Sequence, residues 1–196
     1  MTDINTVRAL ENLRQRLAKL ETYDAPYGIT RIERQVLTSG QSSITFASIP
    51  ATFSQLLLVY QARGEAVATS VALLLRFNGD TSAAYDYSLN QTANSTNSAT
   101  TATAQTAVRV GILDAANAAA GLAGTGVVWI PNYALSSYQK GLTYECHVRL
   151  GTSAADIVRE DGAGNWRDTD AVTSMTLLAS SSNLAAPSVF TLYGVA

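Results

Sequence analysis

The chain is poor in the residues on which most metal sites and many active sites depend. It has a single cysteine, Cys146, and a single histidine, His147, among 196 residues. An internal disulfide is therefore excluded, and a zinc site built from His and Cys would lack ligands. Charged residues make up only 14% of the chain and the formal net charge is -2. No cluster of positive charge exists that would bind nucleic acid, so we expect no nucleic-acid partner. Because metal-ligating residues are also scarce, we expect no metal ion and no cofactor.

Long apolar runs are missing as well. No run approaches the roughly twenty residues that a membrane-spanning helix needs, and the first residues lack the charged-then-apolar pattern of a signal peptide. We therefore expect no membrane insertion, and synthesis in a cytoplasm without export by that route. Ser, Thr, Asn and Gln must provide most of the solubility. This composition favours a β-rich external protein over a cytosolic enzyme.

The N-terminal segment 1–23 has the pattern of a coiled-coil helix. Leucines are spaced 3, 4 and 3 apart, as in a heptad seam, at Leu10, Leu13, Leu17 and Leu20. Arg16 then falls at position g and Glu21 at the following e, the offset at which parallel neighbours form ion pairs between chains. A lone helix of this length is marginal in water, so it needs a partner. Self-association into a parallel bundle is favoured over packing against its own body or docking to another protein.

A Pro/Gly-containing linker, residues 24–30, separates this helix from a body at 31–196. Leu at both core positions does not determine whether the coiled coil contains two, three or four helices. A homotrimer is preferred by analogy with fibre proteins that have a trimeric stalk.

The body reads as about nine or ten short strands separated by turns. The predicted strands are residues 29–37, 44–49, 55–63, 71–77, 108–113, 126–130, 138–150, 154–158, 171–179 and 189–195, with another beginning near Tyr85. Residues 55–63 are apolar on both faces at their centre, which predicts an inner strand covered on both sides. Residues 90–107 are low in complexity and are interpreted as a long surface loop, with an edge strand at its end as an option. The fold class is therefore all-β, a jelly-roll-like β-sandwich preceded by a short helix.

Cys146 and His147 are neighbours in an alternating segment, so they should point to opposite faces of one strand. That geometry excludes a catalytic pair made from these two side chains. No Gly-X-Ser-X-Gly elbow is present, and any catalytic triad would have to use the same histidine. We expect His147 to have a structural role.

One polar stretch stands out as a candidate surface site. Acidic residues at 160, 161, 168 and 170 flank Gly162-Ala163-Gly164-Asn165-Trp166, and Arg167 lies between Trp166 and Asp168. The simplest interpretation is a solvated hairpin loop. A second is a carbohydrate-contacting tip, with Trp166 stacked on a sugar and its neighbours bonded to hydroxyl groups. A third is a calcium site, although the spacing matches no known loop.

Four segments together resemble a group of small virion proteins of tailed bacteriophages. Residues 44–56 begin Ile-Thr-Phe-Ala-Ser-Ile-Pro and run into an apolar strand, and residues 73–80 read Leu-Leu-Leu-Arg-Phe-Asn-Gly-Asp. Residues 171–177 and 190–194 are similar to the closing strands of that group. The order and approximate spacing agree over most of residues 44–195.

The resemblance implies a jelly-roll-like body on a phage particle and offers no catalytic residues. The expected function is that of a non-enzymatic tail fibre or host-contacting protein located in the virion. Its expected partners are other copies of itself, other virion proteins reached through the N-terminal helix, and host cell-surface glycan. A head decoration, cement or head-fibre protein is the alternative, and a glycan depolymerase is a remote one.

Overall fold

The computed structural model of the protein describes Glu11, Arg14, residues 28–151, Ser153 and residues 156–196. The predicted oligomerisation residues Leu10, Leu13, Arg16, Leu17, Leu20 and Glu21 lie outside the described residues. The same holds for the helix 1–23 apart from Glu11 and Arg14, and for most of the linker.

The described part of the chain is nearly all β, as predicted. Its strands are β1 Ile29–Val36, β2 Ser43–Phe46, β3 Gln55–Ala62, β4 Ser70–Phe77, β5 Tyr85–Ala93, β6 Thr96–Gln105, β7 Val108–Asp114, β8 Gly124–Pro131, β9 Lys140–Arg149, β10 Ile157–Trp166, β11 Met175–Ala179 and β12 Val189–Val195. They form two antiparallel sheets. The larger has the order β1-β12-β3-β8-β9-β10-β5-β6, and the smaller has the order β2-β11-β4-β7.

One hydrophobic core joins the two sheets. Period-two alternation in β3 and β4 turns Leu56, Leu58, Leu73 and Leu75 inward, where they are fully buried. The face of the larger sheet that points into this core is called the inner face below. The opposite face is called the outer face.

Strand β3 lies inside the larger sheet between β12 and β8, as its apolar run predicts. The expectation that both of its faces are covered was wrong for the described residues. On the outer face Leu57 is half-buried and Val59 is 37% exposed. The sequence therefore places apolar side chains on a sheet surface that no other described element covers.

The interpretation of residues 90–107 as mainly a long loop was wrong, although the edge strand that it allowed for is present as β6. Residues 90–107 form most of the hairpin β5–β6, closed by Asn94 and Ser95, whose positive φ angles of 49° and 63° suit a type I′ turn. Both faces of β6 are exposed, so the strand needs no apolar alternation. Its many threonines still favour an extended backbone.

The segment around residue 160 was also misread, because β10 occupies the place of the expected loop. This strand runs between β9 and β5 with a continuous register from Ile157 to Trp166. Its glycines leave room for side chains from other strands. A Cβ on Gly162 would lie 2.6 Å from Tyr144, and one on Gly164 would lie 2.1 Å from Val108. Close packing explains these glycines better than a turn does.

Candidate functional site

The outer face of the larger sheet carries a row of aligned side chains across five strands. The register places them opposite one another in the order Tyr193, Leu57, Trp129, Thr143 and Ala163, from β12 to β10. Residues directly opposite in a sheet share a face, so this row is a continuous surface. Its apolar part is centred on β3 and β8.

A depression lies beside Trp129, whose side chain is 37% exposed. Its volume is about 440 Å³. The lining residues are Gln55, Trp129, Pro131, Gly141, Leu142, Thr143, Ala163 and Gly164. The surface is recessed at this point because two outward positions on β9 and β10 hold small residues, Gly141 and Ala163. Apart from its chain neighbours, none of the residues that the structure describes would lie within 4 Å of a Cβ on Gly141, so they leave the space above it open.

Amide and hydroxyl groups stand around this depression. Gln55 and Thr143 line it directly. Asn165 pairs with Gly141 across β9 and β10, which places its side chain on the same face. The Asn165 Nδ2 atom donates a hydrogen bond of 2.7 Å to Gln139 Oε1. The site therefore combines a half-exposed indole with uncharged hydrogen-bonding groups.

A second groove of about 800 Å³ lies on the same face. Val59 and Val127 belong to its lining, which reaches Arg34 in β1 and Arg159 in β10. Arg159 Nη2 lies 3.0 Å from Glu145 Oε1 in an exposed ion pair. The same strand β8 contributes residues to both grooves, so the two depressions lie along one strand.

His147 and Cys146 point to opposite faces of β9, which confirms the prediction. Cys146 is buried, and His147 is exposed, with its Nδ1 3.1 Å from the Thr125 hydroxyl oxygen. Burial raises the pKa of the Cys146 thiol to about 11, so the group stays protonated at neutral pH. A buried thiol of this kind is inert.

Trp166 is not a surface residue, and the prediction that it stacks on a sugar was wrong. Its side chain is 2% exposed, and its ring stacks with that of Tyr85 at a centroid distance of 6.3 Å. The indole Nε1 donates a hydrogen bond of 2.7 Å to Asp80 Oδ2. The residue is the last of β10 and points into the core, so no ligand can reach its ring faces.

The other three residues of the predicted tip lie at or near the surface. Asn165 is half-buried beside the Trp129 depression. Arg167 Nε lies 3.4 Å from Asp86 Oδ2, and Asp168 Oδ1 accepts a hydrogen bond of 2.9 Å from the Asp170 backbone. The structure thus brings only Asn165 of the predicted residues next to the candidate site.

The acidic residues of this segment are not gathered into one cluster. Glu160 is fully buried and Asp161 is half-buried, because consecutive residues of a strand point to opposite faces. Within the described ranges, no group of three His, Cys, Asp or Glu side chains could hold a metal ion. The calcium interpretation therefore has no support from these residues.

Glu160 instead anchors a buried network between the two sheets. Its Oε1 atom accepts hydrogen bonds from Arg109 Nε at 3.0 Å and from the Tyr144 hydroxyl at 2.9 Å. Its Oε2 atom accepts from Gln91 Nε2 at 3.3 Å and contacts Arg109 Nη2. Burial raises the pKa of Tyr144 well above its ordinary value, so its phenol remains a donor. The network connects β5, β9 and β10 to β7 and has a structural role.

Trp129 was missed as a candidate because only its strand was recognised. The signal was present in the sequence, since Val128 and Ile130 on either side are the kind of residues that turn inward. Alternation then places Trp129 outward, whereas Trp166 follows a glycine-rich stretch that suggested a turn.

A scan against models of known protein families and a search of curated proteins found no match for this chain. Among the described residues, no helix has the length and apolar character needed to cross a membrane.

Proposed function

We propose that the protein is a non-enzymatic structural protein of a bacteriophage virion, acting as a homotrimeric tail fibre or host-contacting component. The proposal combines the resemblance of residues 44–195 to small virion proteins with the leucine seam of residues 1–23. The N-terminal helix would attach the trimer to other virion proteins. Many weak contacts displayed together by three bodies would give avidity that one site cannot.

The observation that carries the proposal is the strand order. When the hairpins β5–β6 and β9–β10 are set aside, the first four strands pair with the last four in mirror order: β1 with β12, β2 with β11, β3 with β8 and β4 with β7. The strands within each half alternate between the two sheets. One long hairpin wrapped in this way is the arrangement of a jelly-roll sandwich. It supports the fold that the resemblance implies.

The two inserted hairpins extend one sheet beyond the eight-stranded jelly roll. They pair through β10 and β5, and they widen the outer face from four strands to eight. A widened and partly apolar surface, with its charged groups outside the Trp129 depression, suits a protein that makes contacts. It would lie on the body of each subunit in the trimer.

Immunogold labelling of intact phage particles, with antibodies against the purified protein, tests the location. We expect label at the tail. Label distributed over the head would overturn the tail assignment in favour of a decoration or head-fibre protein. Particles without any label would overturn the virion proposal itself.

Sedimentation of the full chain tests the assembly. The expected mass is three times the chain mass of 20.7 kDa. Replacing Leu13 and Leu17 together with Asp should yield a single chain, because charges at core positions break the seam. Gln15→Asp, at an outward heptad position, is the matched control and should remain trimeric. A wild-type protein that sediments as one chain at micromolar concentration would contradict the trimer.

A further inference from the structure

We propose that the depression beside Trp129 binds one pyranose ring of a neutral glycan. This inference rests on the proposed host-contacting function, and it names the chemical class that the contact would recognise. The indole of Trp129 would be the platform, and the space above Gly141 and Ala163 would hold the ring.

The shape of the depression supports a small rigid ligand. Trp129 forms one wall on β8, and the outward positions of β9 and β10 next to it form a low floor at Gly141 and Ala163. The volume of about 440 Å³ lies within the range of small-molecule sites, roughly 300–1,000 Å³. The floor stays open because Gly141 has no side chain, and no described residue other than its chain neighbours comes within 4 Å of the position that its Cβ would take.

The chemistry of the lining selects the ligand class. None of the described residues that line the depression carries a charge, so an anionic or cationic ligand would gain nothing here. An indole offers a large apolar face, while Gln55 and Thr143 offer an amide and a hydroxyl. A pyranose has the matching character, with an apolar C–H face and hydroxyl groups around its edge. A purely apolar ligand would leave these polar groups without partners.

The second groove gives a glycan room to continue. It shares strand β8 with the depression, since Val127 lies two residues before Trp129 and points to the same face. Among its exposed charges, Glu145 and Arg159 are paired with each other, and Arg34 lies on β1, at the side away from β10. We therefore expect an oligosaccharide to bind more tightly than the single sugar.

A panel of immobilised neutral and anionic oligosaccharides tests the proposal with the full chain. The best neutral oligosaccharide is then titrated against the protein while tryptophan fluorescence is recorded. Trp129 should respond and the buried Trp166 should not. Trp129→Ala should weaken binding at least about tenfold, as removal of an aromatic stacking platform does.

A second variant keeps the indole and fills the depression. Gly141→Val introduces a side chain where open space exists, so the strand should tolerate it while the sugar is excluded. Asn90→Val, on the outer face of β5, is the matched control and should bind normally. Thermal unfolding of each variant checks that the fold is retained.

The outcomes separate this inference from the proposed function. Binding of a neutral glycan that both Trp129→Ala and Gly141→Val abolish supports the proposal. Binding of anionic glycans alone, or binding that survives both substitutions, overturns it. A protein that binds no glycan, but whose sedimentation changes on Trp129→Ala, would show that a second copy covers this face. Labelling of the particle does not depend on Trp129. If the particle is labelled but the protein binds no glycan, the glycan inference is contradicted and the virion proposal is not.

Discussion

The inner and outer faces of the larger sheet place the same residue types in opposite settings. Arg159 and Glu160 are neighbours in β10, yet Arg159 pairs with Glu145 in solvent while the fully buried Glu160 pairs with Arg109. The exposed pair is screened by water and is worth little. In the inner pair Glu160 has lost its hydration and Arg109 has lost most of its own, so each partner depends on the other. Two consecutive residues of one strand therefore have different roles, because Arg159 makes a surface contact and Glu160 anchors the buried network.

The two tryptophans repeat this contrast. Trp166 lies against Phe77 and Tyr85 in the core, whereas Trp129 is exposed on the outer face. Packing accounts for Trp166 completely. It does not account for Trp129, which leaves part of a large apolar ring in water. The comparison indicates that the inner face holds the fold together, and the outer face carries the proposed binding site.

The largest expected difference between the faces concerns these two residues. Trp166→Ala should lower the free energy of unfolding by about 3–5 kcal/mol, because it leaves a cavity between the sheets. Trp129→Ala should lower it by less than about 1 kcal/mol. Urea unfolding followed by circular dichroism measures both. Equal losses for the two variants would contradict the division into a structural and a binding face.

The losses of unfolding free energy at the two ion pairs should differ less than those at the two tryptophans. Glu160→Gln should cost about 2–3 kcal/mol, because it weakens charge-assisted hydrogen bonds and leaves the Arg109 charge without its partner. Glu145→Gln, the matched change on the outer face, should cost under about 1 kcal/mol.

Salt sharpens this second test. In 1 M salt the small effect of Glu145→Gln should vanish, while that of Glu160→Gln should persist, because buried charges are screened much less. A Glu160 effect that disappears in high salt would mean that water reaches the network.

Much of this division could be predicted from sequence wherever one face of a strand is buried. Alternation correctly placed Cys146 and His147 on opposite faces of one strand, and the apolar run of residues 55–63 correctly marked an inner strand. The rule fails where that pattern is absent. Strand β6 is exposed on both faces and shows no apolar period, so it resembled a loop.

The sequence pattern did not predict strand β10 beyond residue 158, for a different reason. Its inward positions include Gly162 and Gly164, whose space is filled by side chains of Tyr144 and Val108 from other strands. That complementarity is a tertiary contact between residues far apart in sequence. A single sequence therefore suggested a turn, and the candidate site was assigned to Trp166 instead of Trp129.

The smallest expected effect concerns the hydrogen bond that the Trp166 indole makes at the edge of the core. The indole N–H donates to Asp80, and this hydrogen bond is the main reason that the pKa of Asp80 is lowered. An acid whose pKa is lower in the folded chain stabilises the fold above its unfolded pKa, and this stabilisation is lost as the pH falls through the folded pKa. Asp80→Asn should therefore reduce the difference in unfolding free energy between pH 7 and pH 2.5. The reduction should be about 0.5–1 kcal/mol, because solvent screens a carboxylate near the surface.

Trp166→Phe separates the hydrogen bond from the ring. This variant keeps an aromatic side chain but removes the N–H, so the pKa of Asp80, followed by NMR titration, should rise toward its ordinary value. Its total stability will also fall through lost packing, which is why the pH-dependent difference is the quantity to compare. If the pKa of Asp80 stays low in Trp166→Phe, the hydrogen bonds from Ser82, whose backbone N–H donates to Asp80 Oδ1 at 2.7 Å, must hold it there. The polar contact of Trp166 would then be incidental, and its burial alone would distinguish it from Trp129.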